Sequence, residues 1–370
     1  MKKKAFAGMI LAVPLVLSAC MQGGGGAADD LNEEDFKNPK AGVVAEGQLA
    51  GTKMTFVSWG GEFQNGQAKA FSEPFSETSG AEVLSDGPTD PAKVQAQVES
   101  GNISWDVVNA SPTMNEASCG DQFEKLDMSL IDDSKIPEGA PRGDCFVPSL
   151  TYVYGLFYNA DKYGDNPPKS WRDFFDTEKY PGKRGVEGRP NPTAGTFEAA
   201  LFADGVDFES MYPLDTDRSL KKWDTIKDDL VFWQSGADQT QQAQSGEADM
   251  IFGWSGRIYE ANENGANFKP VWDKGFLASD SFSIVKGSKN RLAAYAYINF
   301  ALGEQQQTKM SELTSYSPVN VDSKPNISKA AQEFNVSRSE VIDVTVPQNA
   351  KYWGENRDEL TEAWSNWLNQ

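Results

Sequence analysis

Strand-like and helix-like patterns alternate where the globular part of the chain begins. Apolar runs with strand character occur at 55–59, 82–84 and 105–110, and helix-spaced apolar residues occupy 62–79 and 90–100. Because strands that alternate with helices fold into a parallel sheet covered by helices, this rhythm predicts an α/β protein. Ligands bind such sheets beyond the carboxyl ends of the strands.

Further strand patterns lie at 151–159, 249–254 and 282–285. Leu220, Trp223, Ile226 and Leu230 share one face at helical spacing, which predicts a single helix over residues 215–233. A C-terminal helix is predicted from about residue 356, with its apolar residues at Leu360, Trp364 and Leu368.

The N-terminus has the pattern of an export signal. Three lysines at positions 2–4 precede an apolar stretch over 5–17, which is too short to span a bilayer. The sequence Leu-Ser-Ala-Cys ending at Cys20 resembles the lipobox of bacterial lipoproteins, in which the chain is cut before the cysteine and the thiol is lipidated. We therefore expect a signal peptide over 1–19, a lipidated Cys20 and a flexible, glycine-rich tether over 20–52.

Composition removes several classes of function. The residues that follow the predicted signal peptide and tether are more numerous than one hydrophobic core usually holds, which favours two lobes. A net charge of −20 repels nucleic acid. The chain has no histidine, which excludes Ser-His-Asp and Cys-His catalysis and His-ligated zinc, and no cofactor is predicted. In an exported protein Cys119 and Cys145 are expected to form a disulfide, the alternative being two buried thiols.

A series of motifs resembles the spermidine/putrescine-type extracellular solute-binding proteins of bacterial ABC importers. In order along the chain these are SWGGEFQ at 58–64, AFSEPF at 70–75, YPGK at 180–183, EAAL at 198–201, ADGV at 203–206, YPLD at 212–215, SGEAD at 245–249, GWSGR at 253–257 and YSPVN at 316–320. The resemblance covers residues 53–370 and implies a binding protein, not an enzyme. It would act as a monomer that is anchored to the cell membrane by lipid and delivers its ligand to a permease.

The resemblance also implies the type II periplasmic-binding-protein fold, with two α/β lobes joined by two crossing strands that act as a hinge. Carried onto this chain, the crossings lie near 152–158 and 281–285. The first lobe would then comprise 53–153 plus 282–320, and the second lobe 154–281 plus 321–370.

Candidate site residues follow from the resemblance and from the strand ends. The family places an aspartate at Asp280 against an amine and a tryptophan at Trp254 against the alkyl chain of the ligand. The remaining candidates are the loop residues Trp59, Gly60, Gly61 and Glu62, the hydroxyl of Ser111, Thr196 in the loop 191–196, and Arg257 for a ligand carboxylate. Glu62 has the alternative role of a partner for the dipole of its helix.

The resemblance favours a small cationic ligand, a polyamine or related amine, but two positions depart from the polyamine pattern. Ala278 replaces a second aromatic residue, and the loop 191–196 lacks acidic residues. An opine or amino-acid derivative is favoured if Arg257 faces the cleft. Ferric iron bound through Tyr152, Tyr154 and Tyr316 is a third possibility. An exported glycosidase with two carboxylates and a purely structural lipoprotein complete the alternatives.

Overall fold

The computed structural model describes residues 31–138, 140–314 and 316–370. The predicted signal peptide, Cys20 and the first part of the predicted tether lie outside the described residues. The strands are β1 Lys53–Val57, β2 Glu82–Asp86, β3 Val107–Ala110, β4 Val147–Asn159, β5 Arg184–Glu187, β6 Leu230–Trp233, β7 Met250–Trp254, β8 Phe268–Ile284 and β9 Val346–Pro347.

Helices fill the connections between these strands. They are α1 Gly61–Gln67, α2 Glu73–Ser79, α3 Pro91–Ser100, α4 Pro112–Ala117, α5 Ala160–Tyr163, α6 Trp171–Phe174, α7 Thr196–Ala203, α8 Thr216–Asp224, α9 Gly236–Ser245, α10 Ser255–Glu263, α11 Arg291–Ala301, α12 Glu304–Thr314, α13 Lys329–Phe334, α14 Ser339–Ile342, α15 Ala350–Glu355 and α16 Arg357–Leu368. A π-helical segment at Ala68–Ser72 joins α1 to α2, so that the predicted helix over 62–79 is continuous.

The strands form one sheet in the order β2-β1-β3-β8-β4-β7-β5-β6, with β9 paired to β8. β1 is parallel to β2 and β3, and β5 is parallel to β6 and β7. The long strands β4 and β8 run antiparallel to each other through the centre of the sheet. The prediction of an α/β fold with two crossing strands is therefore confirmed, and the second crossing begins earlier than the predicted 281–285.

Two large hydrophobic cores meet at these crossing strands. We call the part built around the first core the first lobe; this core contains Tyr152 of β4 and Ala278 of β8. The core of the second lobe contains Tyr154 and Phe276. Tyr152 pairs with Ala278, and Tyr154 pairs with Phe276, so that both crossings change lobe at the same level of the sheet. Packing therefore puts the second crossing point between Phe276 and Ala278, before the predicted boundary at 281/282.

The predicted tether does not extend to residue 52. Phe36, Val44 and Leu49 are buried in the core of the first lobe, and the amide of Gly42 donates to the carbonyl oxygen of Asn299 at 3.0 Å. Phe36, Val44 and Leu49 reach the core although the segment around them is polar, which a composition argument cannot detect.

The predicted helix over residues 215–233 was wrong in its second half. α8 ends at Asp224, a short 3-10 turn follows at Lys227–Asp229, and Leu230–Trp233 forms β6. The sequence Leu-Val-Phe-Trp is a short apolar run of the kind that periodicity alone cannot assign to helix or strand. Parallel pairing of β6 with β5 decides the outcome.

Cys119 and Cys145, the two cysteines expected to pair, are joined by a disulfide with their Cα atoms 5.5 Å apart. The bond ties the loop after α4 to the start of β4 in the first lobe. Within the described parts of the chain, none of the helices combines the length and the apolar character needed to cross a membrane.

Candidate ligand-binding site

A cavity of about 390 Å³ lies between the two lobes. Its size falls in the range of ordinary small-molecule sites. Its walls are built from the loops that follow the parallel strands of both lobes, from the crossing strands, and from the hairpin of α15 and α16. Among the lining residues are Trp59, Ser111, Tyr152, Arg189, Trp254, Arg257, Asp280, Tyr316, Trp353 and Arg357.

Asp280 is a carboxylate buried in the wall of this cavity, with only 4% of its surface exposed. It lies within β8, directly before residues 281–285, to which the sequence assigned the second crossing. Its Oδ2 accepts hydrogen bonds from Trp59 Nε1 at 2.9 Å and Asn109 Nδ2 at 2.7 Å, and its Oδ1 accepts one from the hydroxyl of Tyr152 at 3.4 Å. Burial raises the pKa of Asp280 to about 6, although these hydrogen bonds oppose the shift.

The Asp280 carboxylate therefore lacks a cationic partner at hydrogen-bonding distance among the described residues. Neutral donors orient it, and a buried carboxylate with donors of this kind is stabilised further by a ligand ammonium group.

Trp254 forms part of the apolar wall on the second lobe. Its ring packs against that of Trp233 at 4.6 Å between centroids, which fixes it at the end of β7. The guanidinium of Arg189 lies 5.2 Å from the centroid of the Trp254 ring. Trp59, the other predicted tryptophan, is half-buried and faces the same cavity from the first lobe.

Arg189 follows β5 and is held by the buried Glu187. The two side chains form an ion pair. Glu187 also accepts hydrogen bonds from the amide of Thr193 at 2.8 Å and from the hydroxyl of Tyr154 at 3.3 Å. Glu187 has 1% of its surface exposed, so it holds Arg189 in place from beneath the cavity floor and is not accessible to a ligand.

Arg257 reaches the cavity from α10. Its guanidinium pairs with Glu260 at 3.0 Å and lies 5.8 Å from the centroid of the Phe63 ring. Gly236, at the start of α9, packs directly against this guanidinium, since a Cβ atom built at that glycine would lie 2.8 Å from Arg257 Cζ. The absence of a side chain at position 236 is therefore what leaves room for Arg257.

The other predicted residues contribute less. The hydroxyl of Ser111 lines the cavity but also caps α4 by accepting from the amide of Met114 at 3.3 Å. The amide of Gly60 donates to Gln64 Oε1 at 2.8 Å and not toward a ligand, while Gly61 lies against Arg257. These two glycines shape the loop, and neither is among the residues that line the cavity.

Glu62 and Thr196 are not among the residues that line the cavity. Glu62 is exposed and accepts from Asn65 Nδ2 at 3.1 Å in the first turn of α1, which agrees with the alternative that the sequence left open. Thr196 is buried, and its hydroxyl donates to the carbonyl oxygen of Thr193 at 2.8 Å. Thr196 therefore supports the loop whose residues Thr193 and Ala194 do face the cavity.

Two of the three tyrosines considered for iron have other hydrogen-bond partners. Tyr152 donates to Asp280 and Tyr154 to Glu187. Burial raises the pKa of the Tyr152, Tyr154 and Tyr316 hydroxyls, which disfavours the phenolate form that ferric iron requires. No group of three histidine, cysteine or acidic side chains suited to a metal ion occurs in the described residues.

Several residues that line or support the cavity were not singled out by the sequence. Arg189 stands two residues after the parallel strand at 184–187. Because ligands bind beyond the carboxyl ends of such strands, Arg189 would have been a candidate if this strand had been recognised in the sequence. Asn109 is the last but one residue of β3, where it orients Asp280 from a neighbouring strand. Trp353 and Arg357 lie on the C-terminal hairpin, and no sequence signal brings that hairpin to the cavity.

Trp353 Nε1 donates to the buried Glu198 at 2.7 Å, and Glu198 also accepts from the hydroxyl of Tyr212 at 2.8 Å and the amide of Gly195 at 3.1 Å. Burial raises the pKa of Glu198. This carboxyl group thus fastens the C-terminal hairpin to the second lobe, and it is not among the residues that line the cavity.

Comparison with known proteins identifies the family. Residues 68–335 match the family model described as bacterial extracellular solute-binding protein. A gamma-aminobutyric acid-binding protein of Pseudomonas aeruginosa is 29% identical over 331 residues, which cover 88% of this chain and 93% of that relative. A putrescine-binding periplasmic protein of the same species, SpuD, is 23% identical over 285 residues, covering 70% and 77% of the two chains.

Solved structures agree with this assignment. The structure described as the Atu4243-GABA receptor is 38% identical, with a TM-score of 0.77, and the alignment covers 86% of this chain and 98% of that chain. The two-lobed fold of this chain is therefore shared with solved solute-binding proteins.

Proposed function

The chain belongs to the bacterial extracellular solute-binding protein family, whose members are not enzymes, and we propose that it captures a small zwitterion of the ω-amino acid class for an ABC permease. The simplest ligand of this class is 4-aminobutanoate. Its ammonium group would pair with Asp280, and its carboxylate with Arg189 and Arg257.

One observation carries this proposal: the buried carboxylate of Asp280 lines the same cavity as the guanidinium groups of Arg189 and Arg257. A buried or half-buried charge on a ligand must meet an opposite charge. A ligand that bears one ammonium and one carboxylate meets this condition at both ends. Trp254 and Trp59 would cover the methylene groups between the two ends.

A polyamine, the ligand class that the sequence placed first, fits less well. Each of its ammonium groups needs an acceptor, and the acidic residues among the described lining are Asp280 and Asp90. Asp90 is already the cap of α3, where it accepts from the amide of Ala92 at 2.9 Å. Arg257 does line the cavity, which is the condition under which the sequence favoured an amino-acid derivative instead.

The names of the relatives support the same choice. The relative that is 29% identical is named as a gamma-aminobutyric acid-binding protein, and the solved structure is named as a GABA receptor. The putrescine-binding relative is less similar to this chain. The polyamine class therefore remains the comparison against which the proposal is tested.

Titration calorimetry of the purified protein separates these ligands. We expect 4-aminobutanoate to bind at least about 100-fold more tightly than butane-1,4-diamine, because the diamine places a second ammonium beside arginines. Glutarate, which has the same span with two carboxylates, should be equally weak. Binding of the diamine as tight as that of 4-aminobutanoate would overturn the proposal in favour of the polyamine class.

We further propose that the protein is exported and held at the membrane through a lipid on Cys20. The lysine-rich and apolar N-terminus and the lipobox-like sequence support this localisation. In the native host, Cys20→Ser should move the protein from the membrane fraction to the soluble fraction. A variant that stays in the membrane fraction as before would contradict lipid attachment at this cysteine.

A further inference from the structure

Arg357 is a third arginine in the cavity, and its charge is the least compensated of the three. It is the first residue of α16 and is half-buried in the cavity wall. Arg189 pairs with Glu187 and Arg257 pairs with Glu260. The Arg357 guanidinium, by contrast, has neither a hydrogen bond nor an ion pair with any described residue.

The surroundings of Arg357 make this unusual. Burial lowers the pKa of its guanidinium, and the attraction of the exposed Asp358 only partly opposes that effect. Arginine has five donors in a planar fork and is seldom withdrawn from water without an acceptor. A half-buried arginine that points into a ligand cavity without an acceptor is poised to receive an anionic group from the ligand.

The wall around Arg357 is fixed in place. Thr361 lies one helical turn further on, also lines the cavity, and donates its hydroxyl to Asn191 Oδ1 at 3.0 Å. Trp364 Nε1 donates to the carbonyl oxygen of Arg189 at 3.1 Å. The helix that carries Arg357 is thereby tied to the loop that carries Arg189, so both arginines belong to one rigid wall.

The cavity also has room for more than the simplest ligand. 4-Aminobutanoate has about seven non-hydrogen atoms. Even if each of these atoms took the ~30 Å³ that one water molecule occupies in the liquid, the ligand would fill roughly 210 Å³. The cavity of about 390 Å³ therefore leaves space for an additional substituent.

We infer that Arg357, with Thr361 beside it, forms a second anion subsite, and that the preferred ligand is an ω-amino acid bearing an additional carboxylate. An N-carboxyalkyl derivative has this chemistry, because its secondary ammonium can stay on Asp280 while the two carboxylates occupy separate arginines. The inference rests on the proposed function, since it assumes the pairing of the ammonium with Asp280.

Calorimetry with two matched ligands tests the subsite. The probes are 4-aminobutanoate and N-(2-carboxyethyl)-4-aminobutanoate, which differ by one carboxylate arm. Wild type should bind the second ligand roughly 10- to 100-fold more tightly, as a charge-assisted contact predicts. Arg357→Gln should remove that gain and leave the affinity for 4-aminobutanoate within about twofold.

Two further variants complete the design. Arg357→Lys keeps the charge and should retain part of the gain, and Thr361→Val should reduce it even if Arg357→Gln proves too unstable to study. Equal affinity of wild type for both ligands, or an equal loss for both in Arg357→Gln, would overturn the subsite while leaving the proposed function intact. Failure of both ligands to bind wild type would overturn the subsite and the proposed function together.

Discussion

The indole Nε1 of Trp59 lies 2.9 Å from Oδ2 of Asp280, and this hydrogen bond joins the loop after β1 to the return crossing strand. Tyr152 and Asn109, the other donors to Asp280, also belong to strands at the first-lobe end of the cavity. Arg189 and Arg257 come from the second lobe. A zwitterion with its ammonium on Asp280 and its carboxylate on the arginines therefore bridges the lobes.

The first prediction concerns Asp280 itself. Asp280→Asn removes the partner of the ligand ammonium and should weaken 4-aminobutanoate binding by about 2–5 kcal/mol in calorimetry. The same change should raise the stability of the ligand-free protein at neutral pH. The folded state holds the carboxyl pKa at about 6 instead of 3.8, and each pKa unit corresponds to about 1.4 kcal/mol.

The expected gain in the free energy of unfolding is about 1–3 kcal/mol. It stays below the full value given by the pKa difference, because the asparagine NH₂ faces some of the donors whose hydrogen bonds the carboxylate accepted. Thermal unfolding of both proteins without ligand measures it. Undiminished ligand affinity in the variant would show that Asp280 does not hold the ammonium. A large loss of ligand-free stability would show that Asp280 has a structural role instead.

The second prediction is the pH dependence of binding. The raised pKa means that the folded protein favours the protonated carboxyl; this contribution to stability is present below pH 3.8 and is lost as pH rises through about 6. The ligand needs the ionised form. Affinity for 4-aminobutanoate should be constant above about pH 7 and fall up to tenfold per unit below pH 6.

Calorimetry between pH 5 and 8 tests this dependence, since the ligand ammonium and carboxylate both stay ionised over most of that range. In Asp280→Asn the residual affinity should show no inflection near pH 6. An inflection that survives in this variant would assign the titration to another group.

The third prediction tests the positioning of Arg257. Gly236→Ala places a methyl group against the guanidinium, within about 2.8 Å of Cζ, so Arg257 must move. We expect the affinity for 4-aminobutanoate to fall roughly tenfold, with a smaller loss for 1-aminobutane, which lacks the carboxylate. Ala237→Ser, the neighbouring exposed position, is the matched control and should bind as wild type does.

An equal loss for both ligands in Gly236→Ala would mean that the substitution disturbs the whole cavity. That result would remove the argument that Arg257 acts on the carboxylate.

The fourth prediction concerns closure of the lobes. The hairpin carrying Trp353 and Arg357 packs near α4 of the first lobe. A Cβ atom built at Gly354 would lie 3.6 Å from the side chain of Glu116. A ligand that binds both lobes favours the conformation in which they approach. Small-angle scattering should show a smaller radius of gyration with 4-aminobutanoate present, and no change for Asp280→Asn at the same ligand concentration.

Much of the fold was predictable because local patterns agree with it. The alternation of strands and helices over 55–110 reflects a parallel sheet, and the family resemblance singled out Asp280 and Trp254, both of which line the cavity. Residues 230–233 were misassigned because four apolar residues satisfy either period until a partner strand is known. The segment 31–52 was misassigned because a few buried apolar residues, among them Phe36, Val44 and Leu49, attach an otherwise polar segment to the core.

The electrostatic properties of the site could be predicted less well from the sequence. The resemblance singled out Asp280 as a ligand-binding residue, but its burial within β8, which raises its pKa, could not be read from the sequence. Arg357 is some 170 residues from Arg189 in sequence, and only the packing of α16 on the loop after β5 brings them into one cavity. Long-range packing of this kind has no local signature in a single sequence.

The account is tested most directly by a crystal structure of the protein with 4-aminobutanoate bound. We predict that the ligand nitrogen lies within about 3.2 Å of a carboxylate oxygen of Asp280, and that the ligand carboxylate meets the guanidinium groups of Arg189 and Arg257. A bound ligand in the reverse orientation, or one outside the cavity between the lobes, would contradict the central claim.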